Sequence, residues 1–188
     1  MSEEISVRYE TREEVAEALG KKRDLSGVDL SGLDLSDMTM AGLNMPGVNF
    51  SGANLTKSRL AAANMEGANF SNALLNEARF AAANLSGSNF QGARMRGAKL
   101  HAANMEGCDF TGADLTDSSW FAANVSGADF SETTTTGARG GGVSWSSAKV
   151  PPEESPEQVS VSPVIPAIIV GLLIGVVGVI VLMKRRKG

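Results

Sequence analysis

The feature that most constrains this chain is a repeat of twenty residues between Lys22 and Phe130. Five segments align at this spacing, and Lys22–Leu30 (KRDLSGVDL) is a weaker sixth copy. The aligned segments are Gly42–Phe50 (GLNMPGVNF), Ala62–Phe70 (AANMEGANF), Ala82–Phe90 (AANLSGSNF), Ala102–Phe110 (AANMEGCDF) and Ala122–Phe130 (AANVSGADF). A fixed period of this length predicts a stack of similar units, each of which buries its apolar side against its neighbours.

A shorter period of five residues lies within each twenty. Every fifth residue from Leu25 to Phe130 is large and apolar, and the residue two places before it is small from Ala53 onward. A period of five fits neither the 3.6 residues of a helical turn nor the alternation of a strand. It predicts a chain that turns a corner every five residues, so that four corners make one turn of twenty.

The repeated unit contains Ala, then Asp or Asn, then Leu or Phe, as in Ala53–Leu55, Ala68–Phe70, Ala113–Leu115 and Ala128–Phe130. Twenty-two tandem copies of this pattern resemble the pentapeptide-repeat family over more than half of the chain. The resemblance implies an all-β solenoid, a right-handed quadrilateral β-helix of about 5.5 coils. It also implies that the large and the small residue point inward and the other three positions point outward.

Three columns are expected to stack along this solenoid. The first is an inward aromatic ladder, formed by Leu30, Phe50, Phe70, Phe90, Phe110 and Phe130. The second is an outward ladder of amides joined by hydrogen bonds, formed by Asp24, Asn44, Asn64, Asn84, Asn104 and Asn124. The third is a glycine column in a turn that requires positive φ, formed by Gly27, Gly47, Gly67, Gly87, Gly107 and Gly127.

Composition divides the rest of the chain into segments. Residues 1–20 are expected to form an N-terminal cap, with a short strand from Ile5 to Tyr9 and a helix that Thr11 and Glu14 begin as a capping box. Residues 21–132 are the repeat region, and residues 133–148, where the pattern degrades, are a last loose coil or cap with Trp145 over the open end. Residues 149–166 read as a Pro/Glu/Ser linker, residues 167–183 as a transmembrane helix and residues 184–188 as a basic tail.

The seventeen uncharged residues from Ala167 to Met183 carry the membrane prediction. Counted from Val164 the segment has twenty residues, or about 26–30 Å of helix, enough to span a bilayer once. Gly171, Gly175 and Gly178 give this helix a face of small residues for packing on another helix. The alternative is that glycine is simply common in membrane helices.

The orientation of this segment has two solutions. The basic tail favours a cytoplasmic C-terminus by the positive-inside rule, which would place the β-helix on the opposite side. However, the N-terminus shows no signal peptide. We therefore favour a tail-anchored protein with the β-helix on the cytoplasmic side, and the opposite orientation stays open.

Charge and residue types argue against several function classes. Residues 21–148 carry ten Lys/Arg against twelve Asp/Glu, a net charge of −2, which argues against a basic nucleic-acid groove and against a strongly acidic surface. His101, the only histidine, should point outward, whereas Cys108 should point inward as a packing residue. We find no metal-ligand spacing, phosphate loop or nucleophile motif. We therefore expect no enzyme, catalytic site, cofactor, metal, small-molecule substrate or nucleic acid.

The outward residues at every fourth corner are the candidate site, because they are apolar where the other corners are polar. They are Ala41, Ala61, Ala81, His101 and Phe121, followed by Gly42, Ala62, Ala82, Ala102 and Ala122. A contiguous apolar strip on a soluble surface marks a contact, with Phe121 as an aromatic anchor. Arg59, Arg79 and Lys99 flank the strip and could pair with acidic groups of a partner. Two alternatives to a docking surface are that alanine is simply preferred in this turn, and that the C-terminal segment of the same chain covers the strip.

The combined reading is a non-catalytic, membrane-anchored protein–protein interaction or scaffold module. It would be an accessory subunit of an integral membrane protein complex, in contact with the lipid bilayer. The resemblance alone adds a photosynthetic or other energy-converting complex as one candidate. The alternative that the resemblance implies is a DNA mimic that protects topoisomerases, which requires a strongly negative rod.

Overall fold

The computed structural model describes residues 7–21 and 24–159, and these wind into a four-sided β-helix. Single-residue parallel bridges join positions twenty apart, from Asp24–Asn44 to Ser119–Arg139. The large inward residues also donate their backbone N–H groups to carbonyls of the next coil, as Leu55 does to Leu74 at 2.7 Å. The coils are therefore held together by the same backbone pairing that joins strands in a parallel sheet.

The four bridging columns define four faces, which are numbered in chain order. Each face has one outward column, and the two residues that follow each member of the inward column form the corner of that face. The first column is Asp24, Asn44, Asn64, Asn84, Asn104 and Asn124, and the second is Asp29, Asn49, Asn69, Asn89, Asp109 and Asp129. The third is Asp34, Asn54, Leu74, Arg94, Asp114 and Thr134, and the fourth is Thr39, Arg59, Arg79, Lys99, Ser119 and Arg139.

The residues of the interior confirm the inward pattern that the sequence predicts. The large residues of the repeat are buried, together with the small residues two places before them. The predicted aromatic ladder is present, since Phe50, Phe70, Phe90, Phe110 and Phe130 stack with centroids 4.7–5.1 Å apart. Offset stacking of this kind adds about 0.5–1.5 kcal/mol per pair beyond burial of the rings.

The predicted amide ladder is also present on the first face. At its N-terminal end, the side-chain amide of Asn44 donates to Ser26 Oγ, at 3.3 Å. From Asn64 upward, the side-chain amide of each asparagine donates to the side-chain oxygen of the one a coil below, as Asn64 does to Asn44 and Asn124 to Asn104, both at 2.9 Å. The same oxygens accept from the backbone two residues on, as Asn84 does from Ser86. These asparagines therefore stabilise both the stack and the turn that follows it.

The N-terminal end of the coil is covered by a strand-like segment and one helix. The backbone of Val7 accepts from Asp29 at 2.9 Å, and Tyr9 donates to Asp29 at 3.2 Å, which pairs the first open edge. Helix α1, Arg12–Lys21, follows and buries Val15 and Ala18. Its start differs in one detail from the expected capping box: the Glu14 carboxylate accepts from the backbone of Glu10, at 2.8 Å, instead of from Thr11.

The C-terminal end continues the coil beyond the regular repeat. Strand β1, Arg139–Gly140, keeps the register of twenty through its bridge to Ser119, and a 3₁₀ helix follows at Trp145–Ser147. The Trp145 ring packs edge-on against Trp120 and Phe130 at 5.5 and 5.6 Å. Gly140 stands where a large core residue is expected, and a Cβ there would lie in van der Waals contact with Trp120, Trp145 and Val143, at 3.4–3.5 Å.

The linker predicted over residues 149–166 is wrong for its first part. Val150 bridges Asp129, and strand β2, Glu157–Gln158, pairs in parallel with β1. Pro152 and Pro156 are buried, so these prolines supply apolar cover for the last coil instead of spacing a free chain. The exposed polar residues between them gave the segment its linker-like composition.

No helix within residues 7–21 and 24–159 combines the length and the apolar character needed to cross a bilayer. The transmembrane helix predicted over residues 167–183 lies outside the described residues, as do the basic tail, Gly171, Gly175 and Gly178.

Two serines at the same inward position give a test of this packing. Ser88 Oγ donates to the carbonyl of Met65 at 2.9 Å, whereas Ser58 Oγ is buried with no partner in the described structure. A buried polar atom without a partner destabilises a fold by about 1–3 kcal/mol. We expect Ser58→Ala to raise the free energy of unfolding by about 1 kcal/mol and Ser88→Ala, the matched control, to lower it by a similar amount. Thermal unfolding followed by circular dichroism measures both, and an equal effect of the two substitutions would contradict this packing.

Candidate functional site: the fourth face and its corner

The fourth corner is built from two outward residues per coil between the fourth and the first face. The structure brings the predicted residues together there, because backbone bonds join each coil to the next, as from Ala62 N to Ala81 O at 2.9 Å. Within the described residues, no segment packs over Ala62, Ala82, Ala102 and Ala122, which are all exposed. Of the described part of the C-terminal segment, Val150 bridges the second face at Asp129, and β2 pairs with β1, so that it continues the fourth face by one coil beyond Arg139.

The exposed alanines of this corner adopt a backbone conformation that alanine disfavours. Their φ angles lie between 55° and 57°. The left-handed region costs an L-residue about 1–2 kcal/mol because of its Cβ, a cost that glycine does not have. The first corner, by contrast, uses glycine in all six coils, Gly27, Gly47, Gly67, Gly87, Gly107 and Gly127, and the positive φ predicted there is confirmed. Turn preference therefore does not explain the alanines of the fourth corner.

Positive φ at the second corner residue occurs on all four corners, which the sequence showed only for the glycine column. Asp37, Lys57 and Glu77 adopt it on the third corner and Asn72 and Glu132 on the second. Ten of the twenty-four described residues at this left-handed position are not glycine, so the solenoid accepts other residues there, although glycine is the more frequent. What sets the fourth corner apart is that its four non-glycine residues are all methyl-bearing and uncharged.

Phe121 differs from the expected exposed anchor, because it is only partly exposed. Its ring packs edge-on against the imidazole of His101, with centroids 5.4 Å apart and an interplanar angle of 85°. His101 Nε2 in turn lies 2.7 Å from Ser119 Oγ. The two rings thus form a half-buried pair at the C-terminal end of the alanine strip. Phe121 therefore does not protrude from the surface as a hot-spot residue would.

A column of three cations runs beside the strip. Arg59, Arg79 and Lys99 are exposed and occupy directly bridged positions on the fourth face, one coil apart. Like charges directly opposite each other across a sheet are destabilising. Within the described residues none of the three forms an ion pair, whereas Arg96 on the third corner pairs with Asp114 at 3.5 Å. On the other side of the strip lies the asparagine ladder of the first face.

The other groups that could take part in chemistry, Cys108 and the charged residues at the N-terminal end, lie far from one another and outside the fourth corner. Cys108 is buried at an inward position and donates from Sγ to the carbonyl of Leu85 at 3.0 Å, and burial raises the pKa of its thiol to about 12. A cleft of about 360 Å³ lies at the N-terminal end, lined by Arg8, Tyr9, Glu14, Glu17, Ala18 and Lys21. Among residues 7–21 and 24–159, no group of His, Cys, Asp and Glu side chains is arranged to hold a metal ion.

A family model for pentapeptide repeats, with eight copies, matches residues 24–60, 53–92, 63–101 and 78–117, which together span half of the chain. This chain belongs to the pentapeptide-repeat family. The right-handed quadrilateral β-helix, the fold of this family, is thereby confirmed for the repeat region.

Solved pentapeptide-repeat proteins give the same fold. One from the Arabidopsis thaliana thylakoid lumen is 33% identical and superimposes with a TM-score of 0.50. The match covers 52% of this chain and 69% of the Arabidopsis chain. Rfr23 from the cyanobacterium Cyanothece 51142 is 25% identical, covers 69% of this chain and 96% of its own, and has a TM-score of 0.52. No curated protein matches this pentapeptide-repeat protein at a significant level.

The single histidine gives a direct test of the fourth corner. Burial, and then the nearby Lys99, hold the pKa of His101 below its ordinary value of 6.5. We therefore expect the one imidazole signal in NMR to titrate below pH 6.5, and Lys99→Ala to raise that pKa. Protonation of His101 on acidification disfavours the fold, since the unfolded chain takes up the proton at higher pH. Arg94→Ala is the control, and an equal rise in the pKa of His101 in that variant would contradict the assignment.

Proposed function

We propose that this chain is a non-catalytic protein–protein interaction module, and that the fourth corner is its docking surface. The observation that carries the proposal is the strip of exposed alanines at positive φ, repeated in four successive coils. Backbone strain of this kind persists where the surrounding structure or the function requires it. Methyl groups at these positions leave a shallow apolar surface that a partner backbone can approach closely.

The proposal extends to an anchored accessory or scaffold subunit of a membrane protein complex. Its support is the uncharged segment 167–183 followed by the basic tail, with Gly171, Gly175 and Gly178 as a face for packing against a partner helix. The family relatives from a plant thylakoid lumen and a cyanobacterium support a photosynthetic complex as the setting. The β-helix is proposed to lie on the cytoplasmic side, and the lumenal relative makes the opposite side the alternative.

The charge distribution disfavours the alternative of DNA mimicry. The third and fourth faces of the three central coils, residues 53–62, 73–82 and 93–102, carry six Lys/Arg and only Glu77, a net charge of +5. Phosphate mimicry requires a negative rod, and this side would repel a surface that binds DNA. A supercoiling assay with gyrase checks the point: inhibition or drug protection by the full chain would restore the alternative.

Two substitutions on the strip test the docking surface. Ala62→Glu with Ala82→Glu should leave the β-helix folded, because Glu77 and Glu132 already adopt positive φ at corners of this chain. The same pair of carboxylates should reduce recovery of the partner in mild-detergent purification by about tenfold or more, since two charges would be buried in an apolar contact.

The matched control lies on the opposite corner of the same two coils. Gly52→Glu with Asn72→Glu introduces the same charge at positive φ, and a Cβ at Gly52 meets nothing within 4 Å. Gly52→Glu adds a backbone strain of about 1–2 kcal/mol that Ala62→Glu does not add, so the fold of the control is checked first. Recovery of the partner should be unchanged in this control. Equal recovery from the two double variants, both folded by circular dichroism, would rule out the fourth corner as the docking surface.

Orientation is tested separately by protease added to intact cells. We expect a β-helix on the cytoplasmic side to remain uncut until the cell membrane is permeabilised. Release of the β-helix from intact cells would show that it lies on the outer side.

A further inference from the structure

The cation column beside the strip forms no ion pair in the described structure, and most other charged residues on the same side of the three central coils are also positive. Arg59, Arg79 and Lys99 belong to the side of the three central coils that carries +5. The opposite side of these coils, residues 63–72, 83–92 and 103–112, carries only Glu66, Glu106 and Asp109, a net charge of −3. The two sides of the three central coils therefore carry opposite net charges, although the net charge of residues 21–148 is only −2.

We propose that the fourth face binds an α-helix of a partner protein whose carboxylates form one row, spaced one helical turn apart. The inference rests on the proposed function and names the chemistry of its partner. The carboxylates would pair with Arg59, Arg79 and Lys99, and small apolar side chains next to them would lie on the methyl groups of Ala62, Ala82 and Ala102. The helix axis would run along the stack of coils.

The spacing of the cations selects a helix over an extended chain. Adjacent coils are about 4.8 Å apart, so three successive cations span about 9.6 Å. Carboxylates at positions i, i+4 and i+7 of a helix span about 10.5 Å. Three side chains on one side of a strand span about 13.4 Å, almost 4 Å more than the cations. Flexible arginine and lysine side chains can adjust to the difference of about 1 Å from the helix, but less readily to the difference of almost 4 Å from the strand.

The surface beside the cations fits a protein better than a bilayer. Proteins that lie on anionic membranes insert large apolar side chains between the headgroups. Within the described residues the exposed large apolar side chain is Val7, at the N-terminal end and away from the strip. The fourth corner offers methyl groups and the half-buried ring of Phe121, which suit a close-packed contact and provide no side chain for insertion. Two arginines in the column also favour the bidentate pairing that carboxylates accept.

Binding of two synthetic helical peptides to the full chain in mild detergent tests the proposal. Both peptides have about 18 residues, long enough to be helical, and the same composition of Ala, Gln and Glu. One carries three Glu in a row one turn apart, and the other distributes them around the helix. We expect the first to bind about tenfold more tightly, as three partly exposed ion pairs allow.

Two triple variants with the same charge change separate a specific contact from general attraction. Arg59→Gln, Arg79→Gln and Lys99→Gln should abolish the preference for the first peptide. Lys57→Gln, Arg94→Gln and Arg96→Gln, on the neighbouring third face and corner, should preserve it. Equal binding of the two peptides, or equal loss in the two variants, would overturn the proposal.

Two further outcomes distinguish this inference from the proposed function and from a lipid partner. If the Glu substitutions at Ala62 and Ala82 release the native partner but neither peptide binds, the docking surface stands and the acidic helix is refuted. The last arm uses flotation with phosphatidylcholine vesicles, with and without phosphatidylserine. A phosphatidylserine-dependent increase that requires Arg59, Arg79 and Lys99, without peptide preference, would assign the column to the membrane surface and overturn the proposal.

Discussion

The structure depends on one backbone constraint, a left-handed residue at every fifth position of the coil. The second residue of each corner adopts positive φ in coil after coil, whether it is glycine, alanine or a charged residue. The turn it makes points the large and small repeat residues inward and aligns the amide of each large core residue with a carbonyl of the next coil, at 2.7–2.8 Å from Leu25 to Trp120. Without this corner the inward ladders would lose their register, since one residue of slip reverses which side chains are buried.

The same constraint decides where function can lie. Two of every five residues are committed to the interior, so only the outward column, whose backbone forms the bridges, and the two corner residues can vary freely in their side chains. On the first face the outward column is used for the asparagine ladder, which stabilises the stack. On the fourth face it holds Arg59, Arg79 and Lys99, which have no such structural role, beside alanines that are strained in the same corner. Residues that stabilise the coil and residues that are free to bind a partner can thus be separated column by column.

Much of the fold could be predicted from the sequence because the repeat is regular. The periods of five and twenty gave the buried positions, and the columns of Phe and Asn gave the two ladders that the structure contains. The positive φ at Ala62 and its equivalents could not be predicted, because alanine normally signals helix or strand and gives no indication of a left-handed turn. The pairing of Glu157–Gln158 with the last coil was missed since proline and glutamate there suggested a linker. At the candidate site, the sequence located the strip and its cations, but only the structure showed that Phe121 is shielded by His101 and that the cations lack partners among the described residues.

The central claim is that one corner of the solenoid, and not its general surface, makes the contact with the partner. Site-specific photo-crosslinking in native membranes tests it most directly, with the reactive residue placed either at Ala82 or at Asn72, which adopt the same backbone conformation on opposite corners. We expect a discrete crosslinked species from position 82 and none from position 72. Crosslinks of equal yield from both positions, or from position 72 alone, would contradict the claim.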